Sequence, residues 1–135
     1  MRAAGTAGLC ALVIGLAGCG GGDDDDPDAS GLAREASAVV EDLERSIRAG
    51  EFEHVCADLL SAEVRRQAGG GDCPAMLERT SAGVKRPRIQ VREIRIEGAT
   101  AAVDVVTVAK GQERVGDTIR LVRESGAYRI SSLSG

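Results

Sequence analysis

Six side chains of this 135-residue sequence can do more than pack: Cys19, His54, Cys56, Cys73, Asp104 and Tyr128. Asp104 stands between Val103 and Val105 in an apolar run. Turned inward, it would be desolvated and its pKa raised, as an acid–base carboxyl requires. Turned outward, it would face solvent opposite an arginine of the neighbouring strand. The outward arrangement is expected, because strands normally carry charges on the solvated face. Tyr128 reads as a core residue with its hydroxyl at the rim. His54, the chain's one histidine, falls off the apolar stripe around it and reads as exposed. One histidine and a distant cysteine do not make a metal ligand set. Nor is there a Cys-x-x-Cys pair for thiol redox work. No nucleophilic triad or oxyanion loop can be assigned, so neither a metal nor a cofactor is expected. The glycine runs lie after Cys19 and at a helix stop (Gly69-Gly70-Gly71).

Cys19 closes the tetrapeptide Leu16-Ala17-Gly18-Cys19, preceded by an apolar stretch from Ala3 to Leu16 and followed by a glycine–aspartate tract. The stretch is shorter than the ~20 residues a spanning helix needs. Arg2 and the small residues before Cys19 fit an export signal. The arrangement resembles a bacterial lipoprotein signal with its lipobox. That resemblance implies cleavage before Cys19, lipid on that cysteine, and an extracytoplasmic site at a membrane. A diacylglyceryl group carries two chains, enough for stable anchoring. The expected organisation is a signal peptide (1–18), a lipidated cysteine with a flexible tether (19–30), and one domain (31–135). The tether would reach roughly 18 Å, and its aspartates would be repelled by anionic headgroups.

Removing residues 1–18 takes one arginine from the 17 basic residues and none of the 21 acids. Five acids (Asp23, Asp24, Asp25, Asp26 and Asp28) sit in the tether, leaving the body with 16 charges of each sign. That balance argues against a nucleic-acid-binding body. Arginine outnumbers lysine, and alanine and glycine are abundant, a bias that suggests a high-GC genome of the actinobacterial type. In an oxidising compartment, Cys56 and Cys73 form an even pair and are expected to join in one disulfide.

These residues need elements to hold them. Leu32, Ala36, Val39, Val40, Leu43 and Ile47 recur at helical spacing and predict a helix over 31–49, with Ser30 as N-cap. Phe52, Val55, Cys56, Leu59, Leu60 and Val64 predict a second helix over 51–68, ended by the glycine run. Asp72 would cap a short third helix, with Pro74 in its first turn and Met76 and Leu77 inward. After Pro87 the period becomes 2. Ile89 and Val91, then Ile94 and Ile96 out of phase with them, predict a strand with a bulge near Arg92-Glu93. A similar slip in 101–109 falls between Val105 and Val106. Strands over 115–123 and 128–133 follow, with short turns, as in an antiparallel meander. The class is α+β: N-terminal helices in the concave face of a bent four-stranded antiparallel sheet.

With these elements, the chain resembles small exported lipoproteins whose fold is like nuclear transport factor 2, the cone shared with ketosteroid isomerase-like and cystatin-like proteins. The matching residues are Ala49-Gly50-Glu51-Phe52, Cys56-Ala57-Asp58-Leu59-Leu60-Ser61, Gly71-Asp72-Cys73 and Gly126-Ala127-Tyr128-Arg129-Ile130. There is no room for the extra strand or hairpin such folds usually carry, which implies a small or partly open cone.

Fold alone does not confer activity. The expected function is therefore a non-catalytic binding or interaction module of the cell envelope. Its partners would be the membrane, through Cys19, and an apolar small ligand or an envelope protein. The resemblance implies two alternatives: an isomerase or dehydratase using Asp104 and Tyr128, with His54 a further candidate, or a cystatin-like inhibitor or assembly partner. A basic run, Lys85-Arg86-Pro87-Arg88 with Arg92 and Arg95, would meet phospholipid headgroups or an acidic partner, or would be neutralised by Glu93 and Glu97.

Overall fold

The computed structural model describes residues 27–133. The tetrapeptide ending at Cys19, the leader before it and most of the tether lie outside the described residues. A long helix, α1 (Pro27–Ala49), is followed by α2 (Phe52–His54), α3 (Ala62–Gln67) and α4 (Cys73–Ser81). Four strands complete the chain: β1 (Arg88–Glu97), β2 (Thr100–Val108), β3 (Val115–Glu124) and β4 (Ala127–Ser132). They form one antiparallel meander in the order β1-β2-β3-β4, the expected α+β layout.

The stripe on α1 is the one read from the sequence. Ala36, Val40 and Leu43 are buried, and Leu32, Val39 and Ile47 pack against the core from its margins. They meet Ala101, Val103 and Val105 of β2, Ile119 and Leu121 of β3, and Tyr128 and Ile130 of β4, all members of one core cluster. The helix starts earlier than expected, so Ser30 is inside α1 rather than its N-cap. Proline suits a first helical turn because its fixed φ is already helical and its missing N–H costs no bond there.

The second expected helix is broken. A π-helical turn, Val55–Leu59, continues α2 and closes with Leu60 N–H on the Val55 carbonyl at 3.0 Å. Leu60 is extended, and the Ser61 amide donates to the Ile130 carbonyl at 2.9 Å. This bridge gives the free edge of β4 a partner, as exposed edges require. Ser61 Oγ then accepts the Val64 amide at 3.2 Å and caps α3. Arg129 donates to the Ala57 carbonyl at 3.1 Å and to the Asp58 carbonyl, satisfying groups that the π turn leaves without helical donors.

Cys56 and Cys73 are bonded, with a Cα–Cα distance of 6.1 Å. The bond ties the π turn to the first residue of α4. Pro74 lies in the first turn of α4, and Met76 and Leu77 pack on the core as expected, but the Asp72 side chain makes no cap hydrogen bond.

The bulge in β1 falls where the phase slip put it. Val91 pairs with Val105 and Glu93 with Asp104, leaving Arg92 unpaired in register. The slip expected in β2 does not occur, since its pairing with β3 runs unbroken from Thr100 to Thr107. Instead, β4 bulges at Ser131, between the Arg120–Ser132 and Leu121–Ile130 pairs.

Candidate functional site

The concave face of the sheet does not close completely on the helices. A cavity of about 250 Å³ remains between them. Leu43 and Ile47 of α1, Val55 of the π turn and Leu77 of α4 form one wall. Ile89, Val105 and Ile119 form the other. Half-buried Phe52 and exposed Leu133 also border it. The polar groups bordering it are the hydroxyls of Thr80, Ser81 and Thr107 and the carboxylate of Asp117. An apolar enclosure with a few polar groups at its margin is the usual form of a small-molecule site.

Asp117 reaches this border by strand alternation. It shares a face with the buried Ile119 and Leu121 and pairs across the sheet with Val105. Its Oδ1 accepts the Thr118 amide at 2.8 Å. Asp104, one strand away, is the carboxylate that the sequence offers as an inward alternative, while expecting it outward. The signal for Asp117 was present in the period-2 pattern of 117, 119 and 121, residues of one face.

Asp104 lies on the convex face, as the outward expectation had it. Arg95 of β1 holds it with two hydrogen bonds, of 2.6 and 3.3 Å, and Thr118 Oγ1 donates at 2.8 Å. The Arg95 guanidinium, then the Thr118 hydroxyl, hold its carboxyl below the usual aspartate range. This is opposite to the shift a buried acid–base carboxyl would show.

Tyr128 belongs to the core, 2% exposed, but its hydroxyl is not at the rim. Among the described residues the buried hydroxyl has no hydrogen-bond partner, while the Arg123 guanidinium lies over the ring at 5.0 Å from its centroid. Arg123 is held there by Glu35 of α1 at 3.0 Å and by the Gly126 carbonyl at 2.7 Å. Tyr128 does not border the cavity.

His54, expected to be simply exposed, instead joins two helices. Its Nε2 is 3.0 Å from Asp42 on α1, and its Nδ1 is 2.9 Å from Asp58. Hydrogen bonds to Asp42 and then Asp58 raise its pKa above 6.5. Asp42 is lowered, first by Arg45 and then by His54. Stabilisation by charged His54 is therefore fully present below the unfolded pKa and is lost as pH rises through the raised folded value. With a side chain 39% exposed, the effect is modest. The thermal midpoint is expected to fall by a few degrees between about pH 6 and pH 8, and His54→Ala to flatten that slope. Equal slopes for both proteins in circular-dichroism melts would refute this role.

Asp104, Tyr128 and His54 thus occupy three separate places: the convex face, the core beneath Arg123, and the α1–α2 junction. Among the described residues no cluster of His, Cys, Asp and Glu is arranged to hold a metal ion. No described helix is long and apolar enough to cross a membrane.

No protein-family model and no curated protein matches this chain. Solved structures do. Rd1NTF2_05, a variant protein, superposes with a TM-score of 0.53 at 12% identity, over 82% of this chain and 98% of its own. A de novo designed NTF2 fold protein, NT-9, gives 0.48 at 18% identity, over 73% and 82%. A protein named as an NTF2-like transpeptidase from Campylobacter jejuni gives 0.44 at 14% identity, over 78% and 96%. At 12% identity, the likeness to the first of these establishes a nuclear transport factor 2-like fold and nothing about activity.

Proposed function

We propose that this chain is a lipid-anchored, extracytoplasmic, non-catalytic binding module of the cell envelope, and that its cavity takes a small apolar molecule. The observation that carries the binding half is the cavity itself: aliphatic walls, with Asp117 as its single bordering carboxylate. The separation of Asp104, Tyr128 and His54 supports a binding role over acid–base chemistry, which needs its groups within hydrogen-bond reach of one substrate. The anchor rests on Leu16-Ala17-Gly18-Cys19, and the Cys56–Cys73 bond is in keeping with an oxidising compartment.

Two measurements on the full chain test the proposal. Cells fed radioactive palmitate are expected to label the wild-type chain and not Cys19→Ser. Label on the variant would remove the anchor. Native mass spectrometry of protein purified from membranes is expected to show a retained small molecule. An empty protein that holds a second envelope protein would make it an interaction module, with the cavity no more than a gap in its core.

A further inference from the structure

The C-terminal end of α1 gathers basic groups from four segments. The linker 82–87 and the first residue of β1 contribute Lys85, Arg86 and Arg88, all exposed, around the buried Pro87. Arg86 has φ of 50°, a left-handed conformation rare for a residue with a side chain. The β2–β3 loop lies against this linker, with the Lys110 amide donating to the Lys85 carbonyl at 2.9 Å and Gln112 Nε2 to the Gly83 carbonyl at 3.4 Å. On the other side, Arg48 and Arg86 border one small groove.

Arg48 pairs with Glu44 at 3.4 Å, while Lys85, Arg86, Arg88 and Lys110 have no ion pair among the described residues. Glu93 neutralises Arg95, as the paired alternative had it, and leaves Lys85, Arg86 and Arg88 outside that pair. The acids nearest these groups along the chain are Glu44, Glu51 and Glu113, and Glu44 is engaged by Arg48 and by the Ile89 amide at 2.7 Å.

The basic end is also an end of the cavity: Ile47 adjoins Arg48, Ile89 adjoins Arg88, and Val108 beside Thr107 pairs with Arg88.

We infer that this basic end docks on an anionic bilayer surface, setting the Ile47–Ile89–Thr107 end of the cavity against the headgroups. Convergent exposed cations need no shape complementarity to bind such a surface, only its negative potential. The inference takes its setting from the proposed anchor, but the test below needs no anchor, so the two fail separately.

The chain from Gly20 onward retains every described element, the described core and the disulfide. It is expected to float with phosphatidylcholine vesicles containing about one-third phosphatidylglycerol at low salt, and to be released at high salt. Each basic group near such a surface contributes about fivefold. The combined Lys85→Gln, Arg86→Gln and Arg88→Gln chain should therefore bind about a hundredfold more weakly, with an unchanged melt. Lys110→Gln, which leaves the linker intact, should lose about fivefold. Arg65→Gln with Arg66→Gln, on α3, should lose nothing. Equal binding to pure phosphatidylcholine, no binding to either vesicle, or equal loss in the α3 variant would each overturn the inference. So would capture by heparin with no capture by vesicles, which would indicate a soluble polyanion.

Discussion

Reducing the Cys56–Cys73 bond is expected to cost the fold about 3 kcal/mol and lower its thermal midpoint by roughly 12–20 °C. The bond joins residues 17 apart, and a loop of that size restricts the unfolded chain by about this amount in the entropic account. The native state gives little to set against the loss. The body has two aromatic side chains, Phe52 and Tyr128, and a core built mostly from alanine, valine, leucine and isoleucine. A small domain commonly has 5–15 kcal/mol in total, so the bond is a large share. The damage should concentrate in 55–81, where the backbone joins the sheet by the isolated Leu60–Ile130 bridge and α3 has six residues. Chemical denaturation with and without a phosphine reductant measures the difference, and the Cys56→Ser/Cys73→Ser chain should match the reduced wild type. Coincident midpoints for oxidised and reduced protein would show that the helical segment holds without its staple.

The parts of the fold that were legible in the sequence are those set by local periodicity. Ala36, Val40 and Leu43 announce the buried face of α1 because no other spacing puts them together. The change to period 2 after Pro87, and the slip at Arg92, announce a bulged strand for the same reason. The break at Leu60 was hidden because Leu59, Leu60 and Val64 also satisfy a helical stripe. What decides against the helix is a long-range bond from Ser61 to Ile130. Ser61 itself, a good N-cap, was the one local hint. The site was less legible. The His54 partner Asp42 comes from α1, and the Arg123 that covers Tyr128 is held by Glu35 of α1, through tertiary packing that composition and spacing do not encode. Asp117 is different: its place on the cavity face follows from alternation with Ile119 and Leu121.

Val105→Phe is expected to leave the stability of the fold almost unchanged while weakening ligand uptake by about a hundredfold or more, the scale on which a few kcal/mol of lost contacts reads in binding. Val105 is buried in mid-β2, borders the cavity and pairs with Asp117. In a filled core, inserting a ring there would force neighbouring side chains off their rotamers, at a cost of about 1–3 kcal/mol. In a cavity of about 250 Å³ the ring has space to enter, and its burial offsets the strain. Stability and binding therefore move differently in the two cases. If the cavity is a working site, denaturation midpoints match and the small molecule retained by the wild type is absent from native spectra of the variant. If the walls collapse on each other in solution, Val105→Phe destabilises by the overpacking amount and no ligand is lost, because none was held. Asp117→Asn supplies the complementary test. It removes the charge at the cavity border with little change in volume, so it should alter which ligands are retained rather than whether the cavity exists.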